Sequence, residues 1–233
     1  MCKSTRSSFK GKIRTPSVVG AMWYVDVWGP DEVPSLKFGN VYIIGFIEAV
    51  SKKAFVYFSS RKVVFDQTKH LVESEIPVLK NRFKDLGDFI MQSDNGEFRS
   101  NIIESFINEK GGKVFHSCSY TPETQAIIER LWRTITELAS TMLSVARLPE
   151  PYWEEATKYS AFIYNNIPAS KSLDGKSPTE LLFKTEKPEL SRLRAFAPSD
   201  PSVLHIYPRC CEALKDFTLG HIAACLWVLN RIE

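Results

Sequence analysis

The chain has 233 residues, of which 44% are hydrophobic, and a formal net charge of +3. That length accommodates one well-buried domain with a small appendage but not two full domains, and the charge is too mild to argue unaided for a nucleic-acid partner. Five cysteines, at positions 2, 118, 210, 211 and 225, are odd in number and lack paired CxxC spacing, which argues against both a disulfide framework and a self-contained zinc site.

Residues 1–17 form a basic arm, with Lys3, Arg6, Lys10, Lys12 and Arg14 and no acid before Ser17. No apolar h-region follows the basic start, and the run Ile222 to Leu229 is too short to span a bilayer, so the expectation is a soluble, intracellular protein. Residues 18–27 (VVGAMWYVDV) are rich in β-branched and aromatic side chains and are bounded by Gly29-Pro30, which predicts a strand carrying Asp26 near its end. An acid inside a strand is unusual, because Asp is depleted there and costly to bury unless it is paired or binds a cation. Residues 40–50 and 53–59 read as two more strands joined by a Ser51-Lys52 turn, completing an antiparallel meander.

Residues 61–75 have helical spacing through Val64, Thr68 and Leu71 or Val72, and Pro77 is expected to interrupt any continuation. Residues 88–92 (DFIMQ) form a short apolar run ending in Ser93-Asp94-Asn95-Gly96, a turn signal that puts Asp94 at the C-terminal tip of a strand. Residues 100–110 read as a helix with Ile102 or Ile103, Phe106 and Ile107 inward, stopped by Gly111-Gly112, and residues 113–117 as a last short strand. Strands alternating with helices in this half imply parallel crossovers. The expected fold class is α/β: a mixed five-stranded sheet, three strands in an antiparallel meander and two parallel, flanked by helices.

The longest helical signal runs from Tyr120 to Arg147. Thr121 suits the N-cap and Pro122 the first helical position, while Ile127, Ile128, Leu131, Ile135, Leu138 and Met142 recur at three- and four-residue steps. Glu129 lies at the edge of that stripe; taken alone, it reads as a surface acid paired with Arg133 at i, i+4. Residues 151–166 give another helix, with Trp153, Ala156, Tyr159 or Ser160, and Ile163 inward. Ser177-Pro178-Thr179-Glu180 is a capping-box pattern ahead of a short helix. From residue 198 no clear period links the apolar residues.

Asp26, Asp94 and Glu129 are far apart in sequence and meet only if the first strand is central, beside the strand ending at Asp94, with the long helix laid over both. Three like charges together need a counter-charge, and a pair of Mg²⁺ ions supplies one, since hard cations take carboxylate oxygens. Such a site suits phosphoryl transfer by the two-metal route. Scattered acids alone are a weak signal in a chain with 27 of them.

The surrounding motifs are specific. YVDVWGP around Asp26, QSDNGEF around Asp94 and YTPETQAIIERLWRT around Glu129, followed by LPEPYWEEATKYSAFIYNNIPAS and SPTELLFKTEKPELSRLRAF, resemble in sequence and order the catalytic core of copia-type retrotransposon integrases. The resemblance covers residues 18–197 and implies an RNase H-like fold. It also implies that Asp26, Asp94 and Glu129 are the catalytic triad holding Mg²⁺ or Mn²⁺ for DNA processing and strand transfer. On that reading Asn95, Arg130, Arg133 and Lys158 contact DNA, element ends and target DNA are the partners, the protein is a homo-oligomer with no membrane association, and it works in the nucleus. Residues 1–17 are then a remnant of a zinc-binding segment, 18–170 the core, 171–197 an extension with a short helix, and 198–233 a tail translated out of the ancestral frame. QSDNGEF has one glycine fewer than the family pattern, and Glu48-Ala49 stands where paired aspartates are common. The shortened motif, the missing zinc-binding segment and the divergent tail motivate an alternative, a catalytically inactive remnant that binds DNA or associates with itself. His116 and Cys118, two apart on a strand, have metal-ligand spacing but no second pair to join them, and read as ordinary strand residues.

Overall fold

The computed structural model describes residues 17–93, 100–116, 122–168, 174–184 and 196, with 122–126 described by backbone alone. Five strands are present among them: β1 (Met22–Trp28), β2 (Tyr42–Glu48), β3 (Ala54–Ser59), β4 (Phe89–Ser93) and β5 (Gly112–His116). The helices are α1 (Phe65–Arg82), α2 (Asn101–Glu109), α3 (Pro122–Ala146), α4 (Trp153–Asn166) and α5 (Pro178–Phe183), with a 3-10 turn over Glu150–Tyr152. The sheet order is β3-β2-β1-β4-β5. β1, β2 and β3 form the expected antiparallel meander, while β4 runs parallel to both β1 and β5. The expected mixed five-stranded α/β sheet is therefore borne out, with β1 at its centre.

β1 is buried on both faces, and successive residues serve opposite cores. Trp23 and Val25 join Phe46, Leu71, Leu79 and Phe89 beneath α1 and α2. Met22 and Tyr24 join Ile43, Ile47, Ile128, Leu131 and Ile135 beneath α3. The inward stripe read from the long helix is the observed one, since Ile128, Leu131, Ile135, Leu138 and Met142 are all buried. Ile103 and Ile107 are the inward pair of α2, leaving Ile102 exposed.

Two of the boundaries that differ from expectation have a clear local cause. The strand predicted over 18–27 begins only at Met22, because the preceding residues turn, with Gly20 at φ 89° and Ala21 N donating to Val18 O at 3.3 Å. The helix expected to stop near Pro77 runs through it to Arg82. Pro77 is exposed while Ile76 and Leu79 are buried, so water can reach the carbonyl that loses its donor and apolar burial offsets the break. The capping box is formed as read: Ser177 Oγ accepts from Glu180 N at 3.2 Å, and Ser177 N donates to Glu180 Oε2 at 2.6 Å. Thr121, Cys118 and the segments 1–16 and 197–233 lie outside the described residues.

Buried polar groups tie the loops to this frame. Glu48 is fully buried; its Oε1 accepts from Gly20 N at 3.0 Å, and its Oε2 from Val50 N at 3.1 Å, Ser51 N at 2.6 Å and Ser51 Oγ at 2.7 Å. One carboxylate thus joins the entry of β1 to the β2–β3 turn. Asn165 of α4 brackets β3, accepting from Ala54 N at 2.9 Å and donating to Ala54 O at 2.7 Å. Lys53 donates to Thr179 Oγ1 at 2.9 Å and lies 5.0 Å from the centroid of the Phe183 ring.

Glu48→Ala leaves buried donors without an acceptor, and urea denaturation should show a loss of about 3–5 kcal/mol. Burial pushes the Lys53 ammonium down from 10.5 to about 8. Between those values the unfolded chain holds more protons than the folded one, so this residue's contribution to stability rises with pH across the window and is constant below it. The stability difference between wild type and Lys53→Met should climb through the same window; parallel pH profiles for the two proteins would refute this.

Candidate metal and nucleic-acid site

Asp26 follows Met22 and Tyr24 at two-residue steps, so it stands on the α3 face of the central strand, toward its C-terminal end. Its carboxylate is half-buried, and Oδ2 accepts from the indole Nε1 of Trp132 at 2.9 Å. On the other side of β1, the parallel register with β4 runs from Met22 opposite Ile90 to Val25 opposite Ser93. Asp26 is the next residue along β1, and β4 ends at Ser93. Asp94 and Asn95 lie outside the described residues.

Glu129 is exposed on α3, three residues before Trp132. Residues three apart on a helix are neighbours on its surface, so the contact between Trp132 and Asp26 brings the Glu129 turn next to the end of β1. No ion pair joins Glu129 to Arg133 among the described residues. Arg130 and Arg133 are exposed. Burial lowers the pKa of Lys52 in the β2–β3 turn; Glu48 opposes that shift and Arg130 adds to it, so Arg130 lies within electrostatic reach of the turn.

Lys158 sits elsewhere in the interaction network. Its ammonium pairs with Glu154 Oε1 at 2.5 Å and lies 4.9 Å from the Phe58 ring centroid. Glu154 is almost wholly buried; desolvation raises its pKa, but hydrogen bonds from Lys158, Ser35 and Asn40 together outweigh that and lower it. A phosphate at Lys158 would have to share the lysine with this carboxylate. His116 pairs through Nε2 with Glu104 Oε1 at 3.0 Å.

Neither Trp132 nor Gly45 is singled out by sequence spacing alone. Gly45 lies directly opposite Asp26 in the β1–β2 register. A Cβ on it would come within 2.4 Å of Trp132 Cζ2, so the bare backbone makes the slot in which the indole lies. A buried indole N–H needs an acceptor, and the i+3 spacing from Glu129 was the available signal. The donor chemistry at Asp26 fits a hard divalent cation: a carboxylate has about four lone-pair positions, and a neutral indole donor occupies one without cancelling the charge. Among the described residues no three His, Cys, Asp or Glu side chains cluster as a metal site.

No protein-family model matches the chain. It is 31% identical over 172 residues, 72% of its length, to the retrovirus-related Pol polyprotein from transposon TNT 1-94 of Nicotiana tabacum. It is also 31% identical over 176 residues, 74% of its length, to that from transposon RE1 of Arabidopsis thaliana. The chain belongs to the copia-type retrotransposon Pol family. It spans 12% and 11% of the length of those two Pol polyproteins. Its fold matches a chain of the simian T-cell lymphotropic virus intasome in complex with PP2A regulatory subunit B56 gamma, with a TM-score of 0.56 and 13% identity over 85% of this chain and 66% of that one. The resemblance to an integrase core and the fold class read from the motifs are both borne out for this Pol-family chain.

Gly45→Val should crowd the Trp132 indole and cost about 1–3 kcal/mol in urea denaturation. An unchanged midpoint would show that the slot is not filled as described.

Proposed function

We propose that this chain is the catalytic core of a retroelement integrase, a polynucleotidyl transferase that processes the ends of element DNA and joins them to target DNA. The observation that carries the reading is the Trp132–Asp26 hydrogen bond, which sets the Glu129 turn of α3 beside the end of the central strand. The family membership and the β1–β4 register support it from two other directions.

In this proposal Asp26, Asp94 and Glu129 hold Mg²⁺ or Mn²⁺. When bound, such ions activate an attacking oxygen and stabilise a leaving one. The protein's part is positional. Asp26 is carried by a strand buried on both faces and Glu129 by a helix packed along its length, so the carboxylates are presented from rigid elements. First a water attacks a phosphodiester near the element's end, breaking a P–O bond and freeing a 3′-OH. That hydroxyl then attacks a phosphodiester of the target, displacing its 3′ oxygen as the new P–O bond forms. Arg130 and Arg133 are exposed beside Glu129 and serve as phosphate contacts, with Asn95 and Lys158 as further ones. Assembly as a homo-oligomer and action in the nucleus belong to the same proposal.

Removing one carboxylate should cost several kcal/mol of transition-state stabilisation, roughly a thousandfold or more in rate. Asp94→Asn and Asp26→Asn should each abolish Mn²⁺-dependent joining of a labelled oligonucleotide end to plasmid DNA while leaving the circular dichroism spectrum unchanged. Activity retained in either variant excludes that aspartate as a ligand. A wild-type chain that binds DNA but neither nicks nor joins it supports the inactive remnant instead.

A further inference from the structure

The role of Trp132 extends past packing. We infer that Trp132 is a positioning residue for Asp26: its indole N–H fixes the orientation of the carboxylate toward the cation side of the site, and Gly45 is the slot that makes this possible. The inference rests on the proposed role of Asp26 in holding a divalent cation.

Three observations support it. Trp132 is buried, and its only polar atom donates to Asp26 Oδ2 at 2.9 Å. Of the four β1 residues on that face, Met22, Tyr24, Asp26 and Trp28, only Asp26 carries a carboxylate. The indole reaches it because the residue opposite Asp26 is Gly45, where any side chain would occupy the ring's place. A tryptophan serving only as a wedge between α3 and the sheet would need the slot but not this alignment of its N–H.

The chemistry suits an outer-shell partner. Carboxylates that hold metals are themselves oriented by hydrogen bonds. A lysine or arginine at this point would repel an incoming cation, whereas the indole N–H is a donor without formal charge and cannot itself act as a ligand. Trp132 is also one turn from Glu129, so the same helix that carries one carboxylate fixes the other. A single side chain thereby links the elements that carry the two acids.

The test separates the N–H from the ring. In the full 233-residue chain, Trp132 is replaced by 3-benzothienylalanine, which keeps the bicyclic shape but has sulfur in place of the N–H, and in a second protein by phenylalanine. Mn²⁺ binding is followed by calorimetry, and unfolding is followed without metal. The benzothienyl protein should bind Mn²⁺ about 10–100-fold more weakly than wild type with an unchanged metal-free unfolding midpoint, and raised Mn²⁺ should restore oligonucleotide joining. Trp132→Phe should show the same loss of affinity. If wild type and the benzothienyl protein bind Mn²⁺ equally, Trp132 is a packing residue and the inference is overturned while Asp26 keeps its role. If wild type binds no Mn²⁺, or Asp26→Asn binds it as well as wild type, the reading of Asp26 is overturned and this inference with it.

Discussion

The hydrogen bond between Trp132 and Asp26 decides how α3 lies on the sheet. It contributes little to overall stability, since a typical hydrogen bond is worth only about 1 kcal/mol net, whereas each fully buried Leu or Ile on the α3 stripe contributes about 1.5–3 kcal/mol. Apolar burial is non-directional, however, and would tolerate small rotations and slides of the helix. The indole, seated in the gap over Gly45 and aimed at one carboxylate oxygen, removes that freedom. What packs on α3 inherits the placement. α4 carries Asn165 to the backbone of β3 and Trp153 to the carbonyl of Val33 at 2.8 Å, so the sheet edge and the loop after β1 are held in turn.

Two acids on neighbouring strands show how partners, rather than position, determine what a carboxylate does. Glu48 ends β2 and pairs in register with Trp23, while Asp26 lies three residues further along β1, opposite Gly45. Glu48 is sealed by four donors from the protein, three of them backbone amides, and its charge is spent on holding a turn. Asp26 is half-buried and receives a side-chain donor that carries no formal charge. In sequence, Asp26 stood out as an acid inside a strand and Glu48 only as a departure from the family pattern. Only the fold separates the structural anion from the candidate ligand.

The same distinction explains what could be read from the sequence. The strands, the long helix and the capping box at Ser177 were legible because they depend on periodicity and on local hydrogen bonds, which sequence spacing encodes directly. The passage of α1 through Pro77 was not, because the exposure of Pro77 and the burial of Ile76 and Leu79 are tertiary facts that override a local breaker. Asp26 and Glu129 were legible as candidates, and their relation through Trp132 was not. That relation needs the β1–β2 register to bring Gly45 opposite Asp26, and no short-range pattern records a register between strands. Lys158 pairs with Glu154 at 2.5 Å; the i, i+4 spacing offered that pair, whereas the near-complete burial of Glu154 is again a tertiary fact.

The position of Trp132 within α3 matters as much as its chemistry. Glu129 and Met142 are thirteen residues apart, about 20 Å along the helix axis at 1.5 Å per residue. A helix held only by its distal contacts could pivot there, and a tilt of about 10° would swing Glu129 by roughly 3 Å, when a catalytic group must be held to within about 0.5 Å. A contact one turn from Glu129 shortens that lever to about 5 Å, so a tilt of up to about 6° stays within that tolerance, against about 1.5° for the longer lever. A polar anchor near the end of a long, apolar-packed helix therefore achieves what additional core burial further along could not.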